Sequence, residues 1–251
     1  MKLIQIDREN RIKIYRKYLQ EIGFGIDGYY ETTMIDEKCY FLFENVNKGV
    51  ISIHEERGLT GFYIFKEYID EYETLLDYVL SLREVTKMLF TDCDRQLFKS
   101  IQKRGFKIEM QAFNFGLEKT IDTDYKMELA IVENIELYIR VFGDFVLDYK
   151  RRIDNNELYI KYDSNGYPIS LGAYEPMILN PKKACVSMKV SNKYLRKGYG
   201  LQTVLFIIKT LQDKGIEPNA RCWYLNEISK NTLLKSGFKV SNHLLRVESF
   251  L

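Results

Sequence analysis

The same run of elements is written twice into these 251 residues, and that duplication limits the possible folds more than any other feature. In the first run, apolar alternation marks strands at 2–6, 39–44, 50–54, 59–65, 85–90 and 107–117. Apolar residues at spacings of three and four mark helices at 8–22, 67–82 and 94–104. Residues 45–49 read as a hairpin turn and 25–33 as a loop rich in Gly and Tyr. The second run begins with a strand at 127–132 and a helix at 135–145, and the segment through Asn156 is charged and harder to assign. A hairpin follows, with strands at 158–162 and 168–174 around Asn165-Gly166. Strands at 186–190 and 220–225 and a helix at 229–236 complete it, and Gly237-Phe238-Lys239-Val240 answers Gly105-Phe106-Lys107-Ile108. The expected fold is α/β, of the α+β kind, with two tandem modules, each a mixed central sheet flanked by helices. Their expected bounds are 1–117 and 127–251, joined by a polar linker at 118–126 that has no apolar period.

One element distinguishes the second run from the first. Val186, Met188 and Val190 alternate with Ser187 and Lys189 as a strand with one buried face. A basic turn then carries Lys193, Arg196, Lys197, Gly198 and Gly200, and Leu201, Val204, Leu205, Ile208 and Leu211 mark one face of a helix. The first turn of such a helix has N–H groups without partners, and its dipole adds partial positive charge. Glycines let the backbone approach an anion closely, so a pyrophosphate would be stabilised there. An ordinary strand–helix turn with solvated lysines fits the same residues. Between Phe65 and Glu67 the first run has no glycine turn, so whatever binds at this turn is expected in the second copy only.

The totals narrow the functional classes. Lys and Arg number 37 against 35 Asp and Glu, a net charge of +2, which is too near neutral to argue by itself for nucleic acid, an unlikely partner. Cys39, Cys93, Cys185 and Cys222 are scattered and only His54 and His243 are histidines, so neither a metal site nor a disulfide framework is expected. No apolar stretch is long enough to span a bilayer and the N-terminus lacks an apolar signal core. A soluble, cytoplasmic protein is expected.

The second half resembles the GNAT superfamily of acyl-CoA N-acyltransferases. The family's loop, Arg/Gln-x-x-Gly-x-Gly/Ala, is matched by Leu195-Arg196-Lys197-Gly198-Tyr199-Gly200, with Leu195 in the first place and Arg196 as the candidate for its electrostatic part. Its second signature, an Asn before a helix that ends in Gly-Phe, is matched by Asn226, Ser229, Gly237 and Phe238. The resemblance covers residues from about 125 to 251 and extends to the first half only as a fold echo, a degenerate copy. It implies acetyl-CoA or another acyl-CoA as co-substrate, no metal, and a small-molecule or peptide amine as acceptor. It further implies that strand 186–190 parts from its neighbour, with the pantetheine arm against the backbone of Met188 and Val190. The implied cofactor set is Met188, Val190, Leu195, Arg196, Lys197, Gly198, Tyr199, Gly200 and Asn226.

The same resemblance leaves the chemistry open. Acyl transfer to an amine needs a base, a polarised thioester and an acid for the leaving thiolate. Where many family members have a Tyr after the Asn, this chain has Leu233, and where many have a Glu base it has Ala184. Tyr224 and Glu175 are the substitute catalytic candidates, with Tyr174 behind them. Each also fits an ordinary role: a half-buried strand residue, a solvated turn and a core residue. Cys222, expected on the strand face of Tyr224, has no base in sequence context and reads as core. His243 is expected without a partner, and the basic residues of 95–107 as a solvated helix face. The alternative to an enzyme is a non-catalytic acyl-CoA-binding or partner-binding protein. A tandem ligase that uses aminoacyl-tRNA has similar duplication but would need a stronger basic surface and an inserted helical arm.

Overall fold

The computed structural model describes residues 1–23, 26–36 and 38–250. Its chain forms two compact units. The first comprises Met1–Asn114, Ile178–Asn180 and Asn242–Leu251, the second Phe115–Met177 and Pro181–Ser241. The crossing between them lies inside a strand, at 114/115, and the C-terminal residues return to the first unit.

The first unit begins with β1 (Lys2–Gln5) and α1 (Arg8–Ile22). The Asp7 carboxylate caps α1 by accepting the Asn10 N–H at 3.0 Å, and Tyr15, Tyr18 and Leu19 form its buried face. Then come α2 (Gly28–Ile35), β2 (Lys38–Glu44), β3 (Val46–His54), β4 (Gly58–Ile64), α3 (Tyr72–Leu80), β5 (Met88–Thr91), α4 (Arg95–Lys103) and β6 (Glu109–Leu117). β1 to β4 pair antiparallel in sequence order. β4 and β5 are parallel and share a single registered pair, Leu59↔Met88. Leu42, Ile51, Phe62, Leu76, Val79 and Phe90 are among the buried residues that join this sheet to α3 and α4.

In the second unit the elements are β7 (Glu128–Leu129), α5 (Ile135–Phe142), α6 (Tyr149–Asp154), β8 (Leu158–Tyr162), β9 (Pro168–Pro176), β10 (Lys183–Val190), α7 (Tyr199–Asp213), β11 (Glu217–Trp223) and α8 (Glu227–Lys235). β12 (Phe238–Val247) follows, and its Leu244–Val247 end pairs antiparallel with β5 in the first unit. β7 to β10 pair antiparallel in sequence order. β10 and β11 are parallel, repeating the relation of β4 to β5. The expected two-module α/β fold is therefore present, each module a mixed sheet with helices.

Several expectations at the level of single elements are corrected. Part of the expected loop at 25–33 is α2, capped by the Asp27 carboxylate on the Tyr30 N–H at 2.9 Å; Gly25 lies outside the described residues. The hairpin expected at 45–49 turns at Asn45 alone, which takes a φ of 64°, so Val46 to Gly49 already lie in β3. The helix expected at 67–82 is a 3-10 stretch at Lys66–Glu71 followed by α3, broken at Tyr68 (φ −120°). The helix expected at 135–145 stops at Phe142, where Gly143 has φ 63°. The strand at 127–132 shrinks to Glu128–Leu129, and Val132–Asn134 form a 3-10 turn. The linker is docked on α7: Ile121 is buried, its N–H reaches Gln212 Oε1 at 2.9 Å, and Gln212 Nε2 donates to the Lys119 carbonyl.

The packing of α7 on the sheet fixes where the glycine turn before it sits. Val204, Ile207, Ile208 and Leu211 form its buried stripe. Gly172 on β9 allows close approach, since a Cβ there would lie 2.8 Å from Ile207 Cγ1 and 2.9 Å from Thr203 Cγ2. Gly172→Ala is expected to cost about 1–3 kcal/mol through overpacking. Urea unfolding checks this, and an unchanged midpoint contradicts the packing described.

Candidate functional site

β10 and β11 stay together for only three residues. Lys183, Ala184 and Cys185 register with Glu217, Pro218 and Asn219, and beyond them no pair forms. On its other edge β10 remains paired to β9 through Val190↔Ser170. The backbone of Val186 to Val190 therefore turns an unpaired edge toward the parting, where its N–H and C=O groups need partners. Met188 and Val190, both half-buried, lie along this edge, as the resemblance implied for the pantetheine contact.

At the open end the chain passes from β10 through a 3-10 turn at Asn192–Tyr194 into α7. Gly198 is the N-cap of α7, in the left-handed region at φ 84°, and no side chain caps this end. The first intrahelical bond is Gln202 N–H to the Gly198 carbonyl at 3.2 Å, so the N–H groups of Tyr199, Gly200 and Leu201 precede any helical acceptor. A Cβ on Gly198 would meet nothing within 4 Å, whereas one on Gly200 would lie 3.1 Å from Met188 Cε. Gly200 thus seats the helix on β10, and Gly198 leaves its tip open. Leu195, Arg196 and Lys197 are exposed, and Arg196 also takes a positive φ, 62°.

This turn is held by groups the sequence did not single out. The Tyr194 hydroxyl donates to the Asp163 carboxylate in the turn between β8 and β9. Asp163 also accepts the N–H groups of Asn165 and Tyr167, each at 2.9 Å. Together these donors, Tyr194 foremost, hold the carboxyl below its ordinary range, and the same bond pushes the Tyr194 hydroxyl up to about 12. The Lys193 ammonium lies 5.1 Å from the Tyr167 ring centroid, and that of Lys197 lies 5.1 Å from the Tyr194 ring. The positive charges are therefore carried on an aromatic platform. A tyrosine just before the loop and an Asp three residues before Gly166 were the available signals.

The catalytic candidates are less free than the sequence suggested. Glu175 registers with Cys185, the last residue of β10 that pairs with β11, and so lies one strand from the point of parting. Its carboxylate is engaged by Arg152 Nη2 at 2.7 Å and Arg151 Nη2 at 3.3 Å. It is an ion-pair member, where a solvated turn residue was the ordinary reading. Tyr224 lies beyond the end of β11, half-buried, with its ring edge-on to Trp223, so it does not share a strand face with Cys222. Tyr174 is buried; its hydroxyl accepts from Lys214 Nζ at 2.6 Å and donates to the Asn156 carbonyl at 3.2 Å. Ala184 and Leu233, at the usual base and acid positions, are both buried. Burial pushes the Cys222 thiol up. Asn226 caps α8, its Oδ1 accepting the Ser229 N–H at 3.0 Å, which gives that residue a structural role as well.

Other residues also depart from expectation. His243 has a partner: its Nδ1 lies 2.7 Å from Asp92 Oδ2, and its backbone N–H donates to Asp92 Oδ1. Arg104, read as part of a solvated basic face, is largely buried and paired with Glu73 and Asp77 at 2.6 Å each. All four cysteines are free thiols. Among the described residues, no group of His, Cys, Asp and Glu is placed to hold a metal ion, and no helix is long and apolar enough to cross a membrane.

Two parallel strands that part at one end define an α/β fold present in two copies, and in the second copy a glycine turn and an uncapped helix stand beside the parting. Residues 8–117 match a family model described as an acetyltransferase (GNAT) domain. The structure is similar to an acetyltransferase from the GNAT family of Colwellia psychrerythraea, with TM-score 0.88 and 12% identity over 99% of this chain and 100% of that one. It is also similar to a GCN5-related N-acetyltransferase from Sphaerobacter thermophilus (TM-score 0.64, 9% identity, 98% and 94% covered). A tandem GNAT protein from the clavulanic acid biosynthesis pathway gives TM-score 0.60 at 8% identity, with 98% and 97% covered. No curated protein matches the chain. Residues 8–117 thus match the GNAT family in sequence, and the whole chain shares the fold of these proteins. The match in sequence corrects the expectation that the first half is only a fold echo. That half keeps the strand–helix core and its Gly105-Phe106 ending without needing a phosphate turn.

The Asp163–Tyr194 bond has a measurable signature. A carboxyl lowered in the folded state keeps its bond at and above the ordinary carboxylate range and loses it only as pH falls through the lowered value. An NMR titration of Asp163 is expected to have its midpoint below 3.8, and Tyr194→Phe to raise it. A midpoint at or above the ordinary value, unmoved by Tyr194→Phe, contradicts this role of the bond in the loop.

Proposed function

We propose that the chain transfers an acetyl or other acyl group from acyl-CoA to an amine, and that the second module, 127–251, holds the acyl-CoA. The observation that carries this reading is the uncapped N-terminus of α7 behind Gly198, at the open end of the parting between β10 and β11. Diphosphate there would accept the N–H groups of residues 199–201 and meet the charges of Lys193, Arg196 and Lys197. The unpaired edge at Met188 and Val190 would accept and donate along the pantetheine amides, bringing the thioester toward Cys185. Leu195, Tyr199 and Asn226 complete the proposed cofactor set. The first module, 1–117, is a degenerate copy for this purpose because it lacks the turn. The acceptor is a small-molecule or peptide amine. Four free thiols suit the reducing cytoplasm.

In the reaction the amine nitrogen attacks the thioester carbonyl carbon, the C–S bond breaks, the amine loses a proton and the thiolate gains one. Glu175 as proton acceptor and Tyr224 as proton donor are the candidates. Arg151 and Arg152 occupy the Glu175 carboxylate, so these contacts would have to loosen for it to reach the bound amine.

That pairing, with Ala184 and Leu233 at the usual positions, favours a second reading in which the chain binds acyl-CoA without turning it over. Two measurements separate the readings. Gly198→Asp puts a carboxylate beside the diphosphate on a backbone at φ 84°, so acetyl-CoA affinity by calorimetry is expected to fall more than about tenfold. Unchanged affinity removes this loop from the proposal. With binding established, free-thiol release from acetyl-CoA across a panel of amines reports transfer, and tight binding without thiol release selects the second reading.

A further inference from the structure

The first unit has a cavity of its own beside the end of β4. It measures ≈ 480 Å³ and opens among α1, the end of β4, α3 and the turn into α4. It is within the size range of small-molecule sites. Tyr18, Phe62, Tyr63 and Tyr72 give it aromatic walls, and Glu21 and Asp94 give it carboxylates.

Asp94 is the unusual group. It is 6% exposed. Its Oδ1 accepts the Leu97 N–H at 2.9 Å as the cap of α4, and its Oδ2 accepts the Tyr18 hydroxyl at 2.6 Å. These donors are neutral, as is the Gln96 N–H that also acts on the carboxylate, and burial opposes its ionisation. A carboxylate can accept about four hydrogen bonds, so acceptor capacity is left. Beside it Tyr72 is 5% exposed and its hydroxyl has no hydrogen-bond partner. Unmet polar groups at such depth are costly unless something satisfies them. At the rim Glu21 accepts the Tyr63 hydroxyl at 2.8 Å.

The charge after β4 disfavours a CoA diphosphate. Where the second unit places Lys193, Arg196 and Lys197 after its parting strand, the first unit places Glu67 and Asp70 alongside Lys66, with Glu71 paired to Lys48 and Glu73 to Arg104. Arg95 on the wall is exposed to solvent, which screens it. Aromatic faces with a desolvated carboxylate recognise a cation on an apolar body.

We propose that this cavity binds a small molecule carrying a protonated amine, with Asp94 as its buried counter-charge, Glu21 at the rim and the Tyr18, Tyr63 and Tyr72 rings around it. The proposal does not depend on acyl-CoA binding in the second unit. The ammonium donates to the free lone pairs of Asp94, and the Tyr72 hydroxyl gains a partner on the ligand.

The test titrates the full chain at low salt with three probes of one shape: phenethylamine, 2-phenylethanol and phenylacetate, followed by ligand-observed NMR. Phenethylamine is expected to bind at least about tenfold more tightly than the alcohol, and phenylacetate not at all. Asp94→Asn keeps a good helix cap while removing the charge, and is expected to erase the preference for the amine. Tyr72→Phe should weaken binding about threefold. If melting shows that Asp94→Asn fails to fold, Glu21→Gln at the rim is expected to weaken the amine and leave the alcohol unchanged. Gly198→Asp should leave phenethylamine binding intact. No phenethylamine binding, equal affinity for amine and alcohol, or an amine preference that survives the carboxylate substitution overturns the proposal. Displacement of phenethylamine by acetyl-CoA in the Gly198→Asp protein overturns it too.

Discussion

Two parallel strands that pair at one end and part at the other are the constraint on which both units depend. Within a sheet each backbone N–H and C=O finds its partner on a neighbouring strand. β10 has that on its β9 side throughout, and on its β11 side only at Lys183, Ala184 and Cys185. The rest of that edge is hydrogen-bonding surface inside a folded domain. β4 and β5 share only Leu59↔Met88 and leave a comparable edge in the first unit. The fold builds a slot into each copy, and the residues around each slot decide what it accepts.

Those residues differ in sign. In the second unit the strand leads through a basic turn into a helix whose N-terminus is left open by Gly198. Asp163, through Tyr194, fixes that turn, and two aromatic rings carry its lysines. In the first unit the strand leads into an acidic 3-10 stretch, and the cavity beside the end of that strand is lined with tyrosines and a buried Asp94. Under the two proposals, one slot takes an anion attached to an extended chain and the other a compact cation.

The sequence made the duplicated order, the glycine turn and the strand before it legible because each rests on local spacing; the parting of that strand was implied by the resemblance. Gly198 and Gly200, the alternation at Val186 to Val190 and the stripe on α7 all fall within one contiguous stretch. Contacts made at long range were not legible. The return of 242–251 to the first unit depends on β12 reaching β5. Residues 178–180 join that unit because Glu31, 2% exposed, accepts the N–H groups of Ile178 and Leu179. The engagement of Glu175 by Arg151 and Arg152 joins β9 to a helix whose charged sequence gave no apolar period. Tyr224 fell off its strand because an apolar run continued two residues past the last strand residue, Trp223. Asp94 stood only as the first residue of the helix expected at 94–104; its burial and its place in the cavity wall, visible in three dimensions, mark it out.

The central claim is that the turn at residues 195–200 receives the diphosphate of acyl-CoA. A crystal structure of the full chain with acetyl-CoA tests it most directly. The expected result is the diphosphate on the N–H groups of residues 199–201, with the pantetheine amides along Met188 and Val190. A diphosphate seated in the first unit, or anywhere away from Gly198, contradicts it.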